Sequence, residues 1–398
     1  MPQGKTRVGV VFGSRSVEHE VSVITGQQVI AALDKNRYDI LPIYITKSGA
    51  WYTGPKLLDV ANFKDEKAVL AGCDPVYLPP DPSVGGLIVR REEKGGLFKR
   101  GGSQQEALLL DVLFPTVHGT YGEDGTLQGL FELAGIPYVG SGVLGSAAGM
   151  DKIVMKSVFR DNDLPVVKQY ATTRRAWEQA PEDIMQAIEK TLGYPVFVKP
   201  ANLGSSVGIS QAKTRAELQQ AMDVAVHYDR RLIIEAAVPN VVEINCAVLG
   251  FQDPQASVCE QPVASKELLS YEDKYMSSGG KSAGMKSLAR KIPAPISDDL
   301  TKRIQQMAID AFMMLDCRGV ARIDFLLDSK TETLYINEIN TLPGSISFYL
   351  WEPLGITFSN LVDRLIQLAF EAHKERARTT YSVDSPLLAR MGASGTKG

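Results

Sequence analysis

The chain opens with a strand, a glycine turn, a helix and a second strand, and this order limits the folds that it can adopt. Residues 7–13 (RVGVVFG) are a short run of strand-forming residues that ends in glycine. A helix-like segment follows at about residues 20–33, and residues 38–46 (YDILPIYIT) have the composition of another strand. Alternating strands and helices predict the α/β class, here with an open parallel sheet at the N-terminus.

The length and the later patterns predict three domains and a tail. A chain of 398 residues exceeds one ordinary core, because domains contain roughly 100–200 residues each. A buried strand at residues 108–119 completes the first α/β unit, a glycine-rich turn marks the second, and two paired strands mark the third. We therefore predict an N-terminal α/β domain, a central lobe, a C-terminal lobe and a loosely ordered tail: residues 1–140, 141–239, 240–378 and 379–398.

Composition argues against several classes of function. The chain is 44% hydrophobic and 22% charged, which is typical of a globular protein, and no apolar run approaches the roughly 18–20 residues that cross a bilayer. The start has no signal-peptide layout, so we expect a cytoplasmic protein with no membrane partner. A net charge of -3 and the lack of a basic stripe argue against nucleic acid. The four cysteines show no CxxC spacing, which predicts reduced core residues rather than zinc ligands or disulfides.

Two segments have weaker patterns. Residues 80–106 are rich in proline, glycine and charge, and we interpret them as a surface excursion, although residues 86–91 (GLIVRR) are compatible with a strand. The last helix is predicted to begin at a Ser359 cap, because leucines follow it at helical spacing.

Residues 321–340 (ARIDFLLDSKTETLYINEIN) have the pattern of a β-hairpin, since two apolar strands flank a short polar gap. If the strands pair about that gap, Asp324 lies opposite Glu338 and Arg322 lies opposite Asn340. Side chains two apart on a strand share a face, so one face of the hairpin gathers all four. The apolar ladder of this hairpin therefore ends in a polar cluster.

The polar cluster has two interpretations. Two carboxylates and an amide oxygen, from Asp324, Glu338 and Asn340, are the hard ligands that Mg²⁺ prefers when it is shared with nucleotide phosphates. Alternatively, these are solvated residues at strand ends, and Arg322 only neutralises a carboxylate. The pattern of the hairpin leaves both open.

Other residues suit a nucleotide. A glycine- and serine-rich turn follows Lys199, and its backbone N–H groups and hydroxyls could bind phosphate oxygens, although it is not a Walker A loop. Lys152 would add a second cation, and nucleotide sites combine such cations with Mg²⁺. Glu235 and Glu243 could contact adenine and ribose, but without a family resemblance they are better explained as ordinary surface charges.

The N-terminal domain offers polar loops where strands end. Glu18 follows the first strand, and His118 and Glu123 follow a later one. Ligands of open α/β sheets bind at the carboxyl ends of strands, so both loops are well placed. Glu18 is also explained as an acid at a helix N-terminus, and His118 as a loop histidine whose hydrogen bonds are satisfied.

Six motifs in this order closely resemble the D-alanine–D-alanine ligases of the ATP-grasp superfamily. The likeness runs from residue 7 to about residue 372, and it rests on these segments: HGTYGEDGTLQG, MDK, VKPANLGSSVGIS, YEDKY, ARIDF and NEINTLPGS. The resemblance implies a three-domain ATP-grasp fold and a role in peptidoglycan-precursor and cell-wall synthesis. ATP would phosphorylate the carboxylate of one D-alanine, and the amine of a second would attack the acyl phosphate.

The resemblance assigns the nucleotide site by motif. Lys152 and Lys199 would bind ATP phosphates, and Ser206 would face the transferred phosphate. Glu235 and Ala236 would lie in the adenine hinge. Glu243 would bind the ribose, and the hairpin residues Asp324, Glu338 and Asn340 would hold two Mg²⁺ ions, for which Mn²⁺ is a possible substitute.

The resemblance also assigns the substrate site. Glu18 would bind the ammonium group of the first D-alanine, and His118 would lie close to its carboxylate. Ser205 and Tyr275 would form hydrogen bonds with Glu18. Arg322 and the backbone N–H of Gly344 would stabilise the oxyanion of the tetrahedral intermediate. The polar loop 266–287 would act as a lid, and the family would imply a homodimer.

The sequence departs from the family at the acceptor site. A serine is usual near the carboxylate of the second substrate, whereas Tyr349 and Leu350 occupy that region here. Tyr275 favours an amino-acid acceptor over D-lactate, and D-serine stays open as an alternative to D-alanine. A non-catalytic ATP-binding relative is a second alternative, against which the intact metal set argues. A carboxylase-type ATP-grasp enzyme would need a biotin or bicarbonate partner, for which there is no carrier motif.

Overall fold

A computed structural model describes residues 4–92, 103–263 and 290–385. Tyr275 and the predicted lid 266–287 lie outside these residues, as does the end of the tail after Ser385. Within them the chain forms three β-sheets with helices packed against them, which confirms the α/β class.

The strands follow one another along the chain in three groups, one for each sheet. Their bounds are β1 Thr6–Gly13, β2 Tyr38–Ile45, β3 Trp51–Thr53, β4 Asp74–Tyr77, β5 Gly86–Glu92, β6 Ser103–Leu109, β7 Val112–Pro115, β8 Gln169–Thr173, β9 Val196–Pro200, β10 Ser210–Ala212, β11 Arg231–Ala236, β12 Val241–Gly250, β13 Gln255–Pro262, β14 Arg290–Lys291, β15 Gly319–Asp328 and β16 Thr333–Asn340.

The first sheet has seven strands in the order β6-β5-β4-β3-β2-β1-β7. Strand β1 is parallel to β2 and to β7, so the predicted parallel core is present at one end of the sheet. The other neighbours pair antiparallel, which makes the sheet mixed. The carboxyl ends of β1 and β7 lie side by side, and the loops that follow them carry Glu18 and His118.

Our interpretation of residues 80–106 as a surface excursion is wrong. Strands β5 and β6 pair along their whole length, from Gly86 opposite Leu109 to Glu92 opposite Ser103, and extend the first sheet. Leu87, Ile88 and Val89 are all buried, and this apolar run outweighs the polar composition of the segment. The strand predicted at residues 108–119 is also interrupted, because the chain leaves β6 before β7 begins.

The other two sheets follow from Gln169 onward and are antiparallel. The second sheet has the order β10-β9-β11-β8, and the third has the order β14-β13-β12-β15-β16. The predicted hairpin is confirmed as β15 and β16, with Asp324 opposite Glu338 and Arg322 opposite Asn340.

Ten α-helices lie in the described part of the chain. Their bounds are α1 His19–Ala32, α2 Glu66–Leu70, α3 Thr126–Ala134, α4 Val143–Met150, α5 Lys152–Asp161, α6 Arg174–Gln179, α7 Pro181–Leu192, α8 Arg215–Ala225, α9 Asp298–Met314 and α10 Phe358–Arg376.

The last helix, α10, packs against the first sheet. Its residues Leu361, Leu365 and Leu368 share one hydrophobic core with Phe12 and Phe114 of β1 and β7. The predicted Ser359 cap is wrong, because the cap lies two residues earlier, at Thr357, whose hydroxyl accepts the N–H of Asn360. The hydroxyl of Ser359 instead donates to the carbonyl of Ala32 at 2.8 Å and ties α10 to α1.

Three of the cysteines, Cys246, Cys259 and Cys317, are buried and free, as predicted, and Cys73 is free and half-buried. No helix in the described ranges combines the length and the apolarity that crossing a membrane requires.

Candidate active site

The hairpin ends in a polar cluster that is held together by direct contacts. The guanidinium of Arg322 donates to both carboxylate oxygens of Asp324, at 2.6 and 2.7 Å. The amide of Asn340 donates to the same carboxylate at 3.1 Å. Arg322 is two residues from Asp324 on one strand face, and Asn340 faces Arg322 across the hairpin, so the register itself creates this cluster.

The cluster has the donor set of a hard cation but includes only two carboxylates. No group of three His, Cys, Asp or Glu side chains within the described ranges is arranged to hold a metal, so a metal here would need the amide oxygen of Asn340 as well. Burial opposes the charge of Arg322, but Asp324 raises its pKa well above the usual value. Arg322 therefore stays charged beside the carboxylate.

Lys152 lies between this cluster and the glycine-rich turn. Asp151 caps helix α5 by accepting the N–H groups of Ile153 and Val154, both at 3.0 Å, which places Lys152 in the first turn. The ammonium of Lys152 donates to the carbonyl of Leu203 at 2.8 Å and lies 3.5 Å from a carboxylate oxygen of Glu338. One cation thus contacts both the predicted phosphate loop and the predicted metal ligand.

Glu235, at the end of β11, is paired with two lysines in the protein interior. Lys156 lies 2.6 Å from one carboxylate oxygen, and Lys199 donates to the other at 2.7 Å. Burial alone would raise the pKa of Glu235, but the two ammonium groups lower it to about 2. For the same pairing the pKa of Lys199 is raised despite burial, whereas that of the fully buried Lys156 is lowered. Glu235 is therefore not a surface charge.

The glycine-rich turn between β9 and β10 contacts the first domain at Glu18. The hydroxyl of Ser205 donates to the carboxylate of the buried Glu18. A Cβ atom on Gly204 would lie 2.8 Å from Oε2 of Glu18, and one on Gly119 would lie 2.5 Å from it. Backbone without side chains must therefore flank this carboxylate on both sides, and Gly119 also has a positive φ of 70°.

His118 is buried, and both of its ring nitrogens have protein partners. Nδ1 lies 2.9 Å from the carbonyl of Leu342, which can only accept, so Nδ1 carries the proton. Nε2 lies 2.8 Å from the hydroxyl of Thr25 and accepts from it. Burial lowers the pKa of His118 to about 4, so the ring is neutral at pH 7. The same Thr25 oxygen accepts the N–H of Ser345 at 3.3 Å.

Glu123 belongs to the same loop and lies beside Glu18. Its carboxyl oxygens accept the N–H of Gly119 at 2.7 Å and the N–H of Leu342 at 3.1 Å. Burial, and then the charge of Glu18, raise the pKa of Glu123 to about 8. This carboxyl group therefore retains its proton at neutral pH, in contrast to Glu235.

The segment after Asn340 returns to the first domain and makes an unusual turn. Ser345, Ile346 and Ser347 all have left-handed backbone angles, with φ between 50° and 56°. Tyr349 follows, and its buried hydroxyl donates to Glu260 at 3.0 Å. The tyrosine hydroxyl at the predicted acceptor site is thus already engaged by a carboxylate.

The structure brings many of the predicted site residues together and leaves others apart. One cavity is lined by residues from all three sheets or the segments that follow their strands: Glu18, Glu123, Lys152, Ser205, Glu338 and Asn340. Arg322 and Asp324 adjoin it through Asn340. Glu235 and Ala236 lie on β11, and Glu243 lies on β12.

Four contributing residues were missing from the predicted site. Glu123 had been noted only for its position after a strand, and Thr25, Lys156 and Glu260 had not been considered. Lys156 stands four residues after Lys152 on α5, a spacing that places both on one face of the helix. Thr25 and Glu260 gave no signal, since their partners are distant in the sequence.

Comparisons with known proteins agree with this geometry over most of the chain. Residues 7–141 match the family model described as D-ala D-ala ligase N-terminus, and residues 158–367 match the one described as D-ala D-ala ligase C-terminus. The D-alanine–D-alanine ligase of Heliobacterium modesticaldum is 44% identical over 378 residues, which are 94% of this chain and 97% of that protein.

Solved structures are similar over the same extent. The D-alanine-D-alanine ligase from Coxiella burnetii superposes with a TM-score of 0.76 at 31% identity, covering 98% of both chains. The VanG D-Ala:D-Ser ligase from Enterococcus faecalis also gives a TM-score of 0.76, at 32% identity, over 92% of this chain and all of that one. Because two family models match, relatives are similar over nearly their full length and solved ligase structures superpose on it, the chain belongs to the D-alanine–D-alanine ligase family of ATP-grasp proteins.

Proposed function

We propose that the protein is an ATP-dependent ligase that joins two D-alanines into D-alanyl-D-alanine for peptidoglycan-precursor synthesis. ATP phosphorylates the carboxylate of the donor D-alanine, and the amine of the acceptor attacks the acyl phosphate, releasing phosphate and the dipeptide besides ADP. The contact between Ser205 and Glu18 carries the proposal, because it joins the glycine-rich turn to the substrate loop beside Lys152 and Glu338.

In this proposal the nucleotide lies between the second and third sheets. Lys152 and Lys199 bind its phosphates, and Ser206 faces the phosphate that is transferred. Glu235 and Ala236 form the adenine hinge, and Glu243 binds the ribose. The buried pairing of Glu235 with two lysines supports a permanent anion in the hinge, since its carboxyl stays ionised.

The hairpin residues fit a magnesium site by their chemistry. Asp324, Glu338 and Asn340 offer two carboxylates and an amide oxygen at one end of the hairpin, and we propose that they hold two Mg²⁺ ions, with Mn²⁺ as a possible substitute. When bound, the metal would neutralise the charge of the ATP phosphates. Both carboxylates attract cations, since Arg322 binds Asp324 and Lys152 lies 3.5 Å from Glu338, and a bound metal would share or replace these contacts.

The donor substrate is placed beside Glu18. Its ammonium binds the Glu18 carboxylate, which Ser205 and, by the family pattern, Tyr275 orient. Its carboxylate lies near His118, whose ring is neutral and therefore does not pair with it as a cation. The oxyanion formed on attack is stabilised by Arg322 and by the N–H of Gly344. Catalysis on this scheme consists of positioning and charge stabilisation, without a covalent enzyme intermediate.

For the acceptor substrate, the proposal has an alternative. Tyr349 and Leu350 occupy the region of the acceptor carboxylate, and the hydroxyl of Tyr349 donates to Glu260 rather than into the site. The likeness to VanG, a D-Ala:D-Ser ligase, makes D-serine the relevant alternative. We favour D-alanine, because the family models and the curated relatives are D-alanine–D-alanine ligases.

The remaining proposals concern organisation. Domain boundaries near residues 140, 239 and 378 fit the grouping of the strands into three sheets, while α10 joins the third unit to the first. We also propose that the protein acts as a homodimer in the cytoplasm, where its substrates ATP and D-alanine are available.

The test is phosphate release from ATP by the purified protein with Mg²⁺ and D-alanine, with products identified by mass spectrometry. Equimolar D-serine and D-lactate compete as acceptors in the same reaction. D-Alanyl-D-alanine as the main product supports the proposal, and a mixed dipeptide would change the acceptor while keeping the mechanism. ATP binding without turnover would refute the enzymatic assignment.

A further inference from the structure

The backbone of one residue, Leu342, is held from both sides by the loop after β7. Its N–H donates to Glu123 at 3.1 Å, and its carbonyl accepts from Nδ1 of His118 at 2.9 Å. The other carboxyl oxygen of Glu123 accepts the N–H of Gly119 at 2.7 Å. We call the group of His118, Glu123 and Leu342 the Leu342 clamp.

The segment that the clamp holds is strained. Ser345, Ile346 and Ser347 form three consecutive non-glycine residues in the left-handed region, each of which costs roughly 1–2 kcal/mol. Such angles persist only where the surroundings over-determine them, and they cluster at functional sites. All three residues are buried, and Ser345 is fixed further by the bond from its N–H to Thr25.

The clamp stands between two parts of the proposed site. On one side, Gly119 lies against the carboxylate of Glu18, which is proposed to bind the donor. On the other side, Leu342 is two residues before Gly344, whose N–H is proposed to stabilise the oxyanion, and the strained turn leads on to Tyr349. A shift of Leu342 would therefore move the oxyanion donor and the acceptor wall together.

We propose that Glu123 is a positioning residue for the ligase reaction, which through Leu342 holds the Gly344 N–H and the acceptor segment in register with Glu18. This inference rests on the proposed function. The geometry needs both carboxyl oxygens of Glu123 as acceptors, since each binds one backbone N–H. Glu123 is therefore a positioning residue rather than a catalytic one, because its two carboxyl oxygens bind the N–H groups of Gly119 and Leu342.

The test compares Glu123→Ala and Glu123→Gln with the wild-type protein. Glutamine keeps one acceptor oxygen and presents an NH₂ group to the other N–H, so it should hold half of the clamp. Glu132→Gln is the control, because Glu132 is also a partly buried glutamate but has no link to Leu342. It accepts from the hydroxyl of Tyr138 at 2.6 Å and pairs with Arg318 and Arg376. The measurements are kcat, the two KM values for D-alanine, the Kd for ADP and the melting temperature.

We expect kcat for Glu123→Ala to fall on the order of 100-fold, the size of loss that a misplacement of about 1 Å produces. The KM of the acceptor should rise, while the Kd for ADP stays within about twofold, because the nucleotide residues lie on other elements. Glu123→Gln should be intermediate, and Glu132→Gln should match the wild type.

Two results would overturn the proposal. One is wild-type kcat and acceptor KM in both Glu123 variants. The other is a parallel loss of melting temperature, ADP binding and both KM values, which would indicate a merely structural role. If Glu123→Ala fails to fold, Glu123→Gln decides by the same criteria. A wild-type protein that makes no dipeptide would refute the proposed function itself, and the role of Glu123 would fall with it, whereas active variants beside an active wild type refute the positioning role alone.

Discussion

Glu235 and Glu123 both lie in the proposed site, the first buried and the second partly buried, but their carboxyl groups have opposite pKa shifts. Burial raises the pKa of each, so the difference comes from their neighbours. Glu235 has two lysines within 2.7 Å, which lower its pKa to about 2. Glu123 has another carboxylate beside it and only backbone N–H groups as hydrogen-bond partners, so its pKa rises to about 8. On the proposed nucleotide side Glu235 is thus held by charge pairing, whereas on the proposed substrate side Glu123 is held by hydrogen bonds to backbone N–H groups.

Mutations on the two sides should therefore change the free energy of unfolding in different ways. Removing one member of a paired charge leaves its partner buried and unmatched. Removing a neutral carboxyl group leaves no unmatched charge. It costs the hydrogen bonds of that group, and it removes the contribution of its protonation to the pH dependence of stability. Stability measurements on single variants can therefore separate the two designs.

The largest effect is expected for Glu235→Gln. It leaves Lys156 and Lys199 buried without their carboxylate, so the free energy of unfolding should fall by about 3–5 kcal/mol. Chemical denaturation at pH 7 measures this free energy of unfolding. The double variant Glu235→Gln/Lys156→Met should recover part of the loss, since it removes one of the two unmatched charges. Glu182→Gln, which breaks an exposed pair with Arg215, should change stability by less than about 1 kcal/mol. A single variant as stable as the wild type would break the comparison.

The next effect concerns Glu123 and pH. Its folded pKa of about 8 lies above the unfolded value near 4.5, so the folded protein holds a proton that the unfolded chain releases. The associated stability is fully present below about pH 4.5 and is lost as the pH rises toward 8, at up to roughly 1.4 kcal/mol per pH unit. Urea unfolding across this range should show a smaller downward slope for Glu123→Gln than for the wild type. Equal slopes would contradict the assignment of a neutral carboxyl.

For His118, the free energy of unfolding should change with pH in the opposite direction, rising as the pH rises. Its folded pKa of about 4 lies below the unfolded value near 6.5, so the unfolded chain binds the proton first. The stability that depends on neutral His118 is present above about pH 6.5 and is lost as the pH falls to 4, by roughly 3 kcal/mol in total. The variant His118→Gln should lack this acid-side loss. If His118→Gln loses stability between pH 6.5 and 4 as steeply as the wild type, other groups are responsible for the loss.

The smallest effect is expected for Thr25→Val. The change keeps the shape of the side chain but removes its bonds to His118 and to the N–H of Ser345, so stability should fall by about 1–2 kcal/mol. The control is Thr191→Val, because the hydroxyl of Thr191 donates only to a carbonyl on an exposed helix face. A loss equal to that of the control would show that the Thr25 hydroxyl does not stabilise the segment after Leu342.

The hairpin shows what the sequence could predict. Alternation along β15 and β16 and the polar gap between them predicted the hairpin. Asp324 lies opposite Glu338, however, only because the register shifts by one residue between Asp324 and Phe325, and local pattern does not show that irregularity. The place of Lys152 in a first helix turn was not predicted, although Asp151 before it is a local helix-cap signal. Local pattern thus gives access to the existence of a hairpin or of a helix start.

Contacts between distant parts of the chain were not accessible. Glu123 and Leu342 are separated by 219 positions, and His118 and Leu342 by 224, so neither pair leaves a spacing signal. Strands β5 and β6 were missed for a related reason: their pairing and the burial of Leu87 decide the structure, whereas their composition is that of a loop. The predicted cap, Ser359, lies two residues after the actual cap, Thr357, and its hydroxyl donates to the distant carbonyl of Ala32 instead.

The packing of α10 on the first sheet has a consequence for synthesis on the ribosome. The core around Phe12 and Phe114 includes Leu361, Leu365 and Leu368, which are among the last described residues to be translated. Helix α1 covers part of this face early, but the part under α10 stays exposed until the other two sheets have been made. Apolar surface that is exposed in this way during synthesis favours aggregation, so the completion of this core is a late step for the nascent chain.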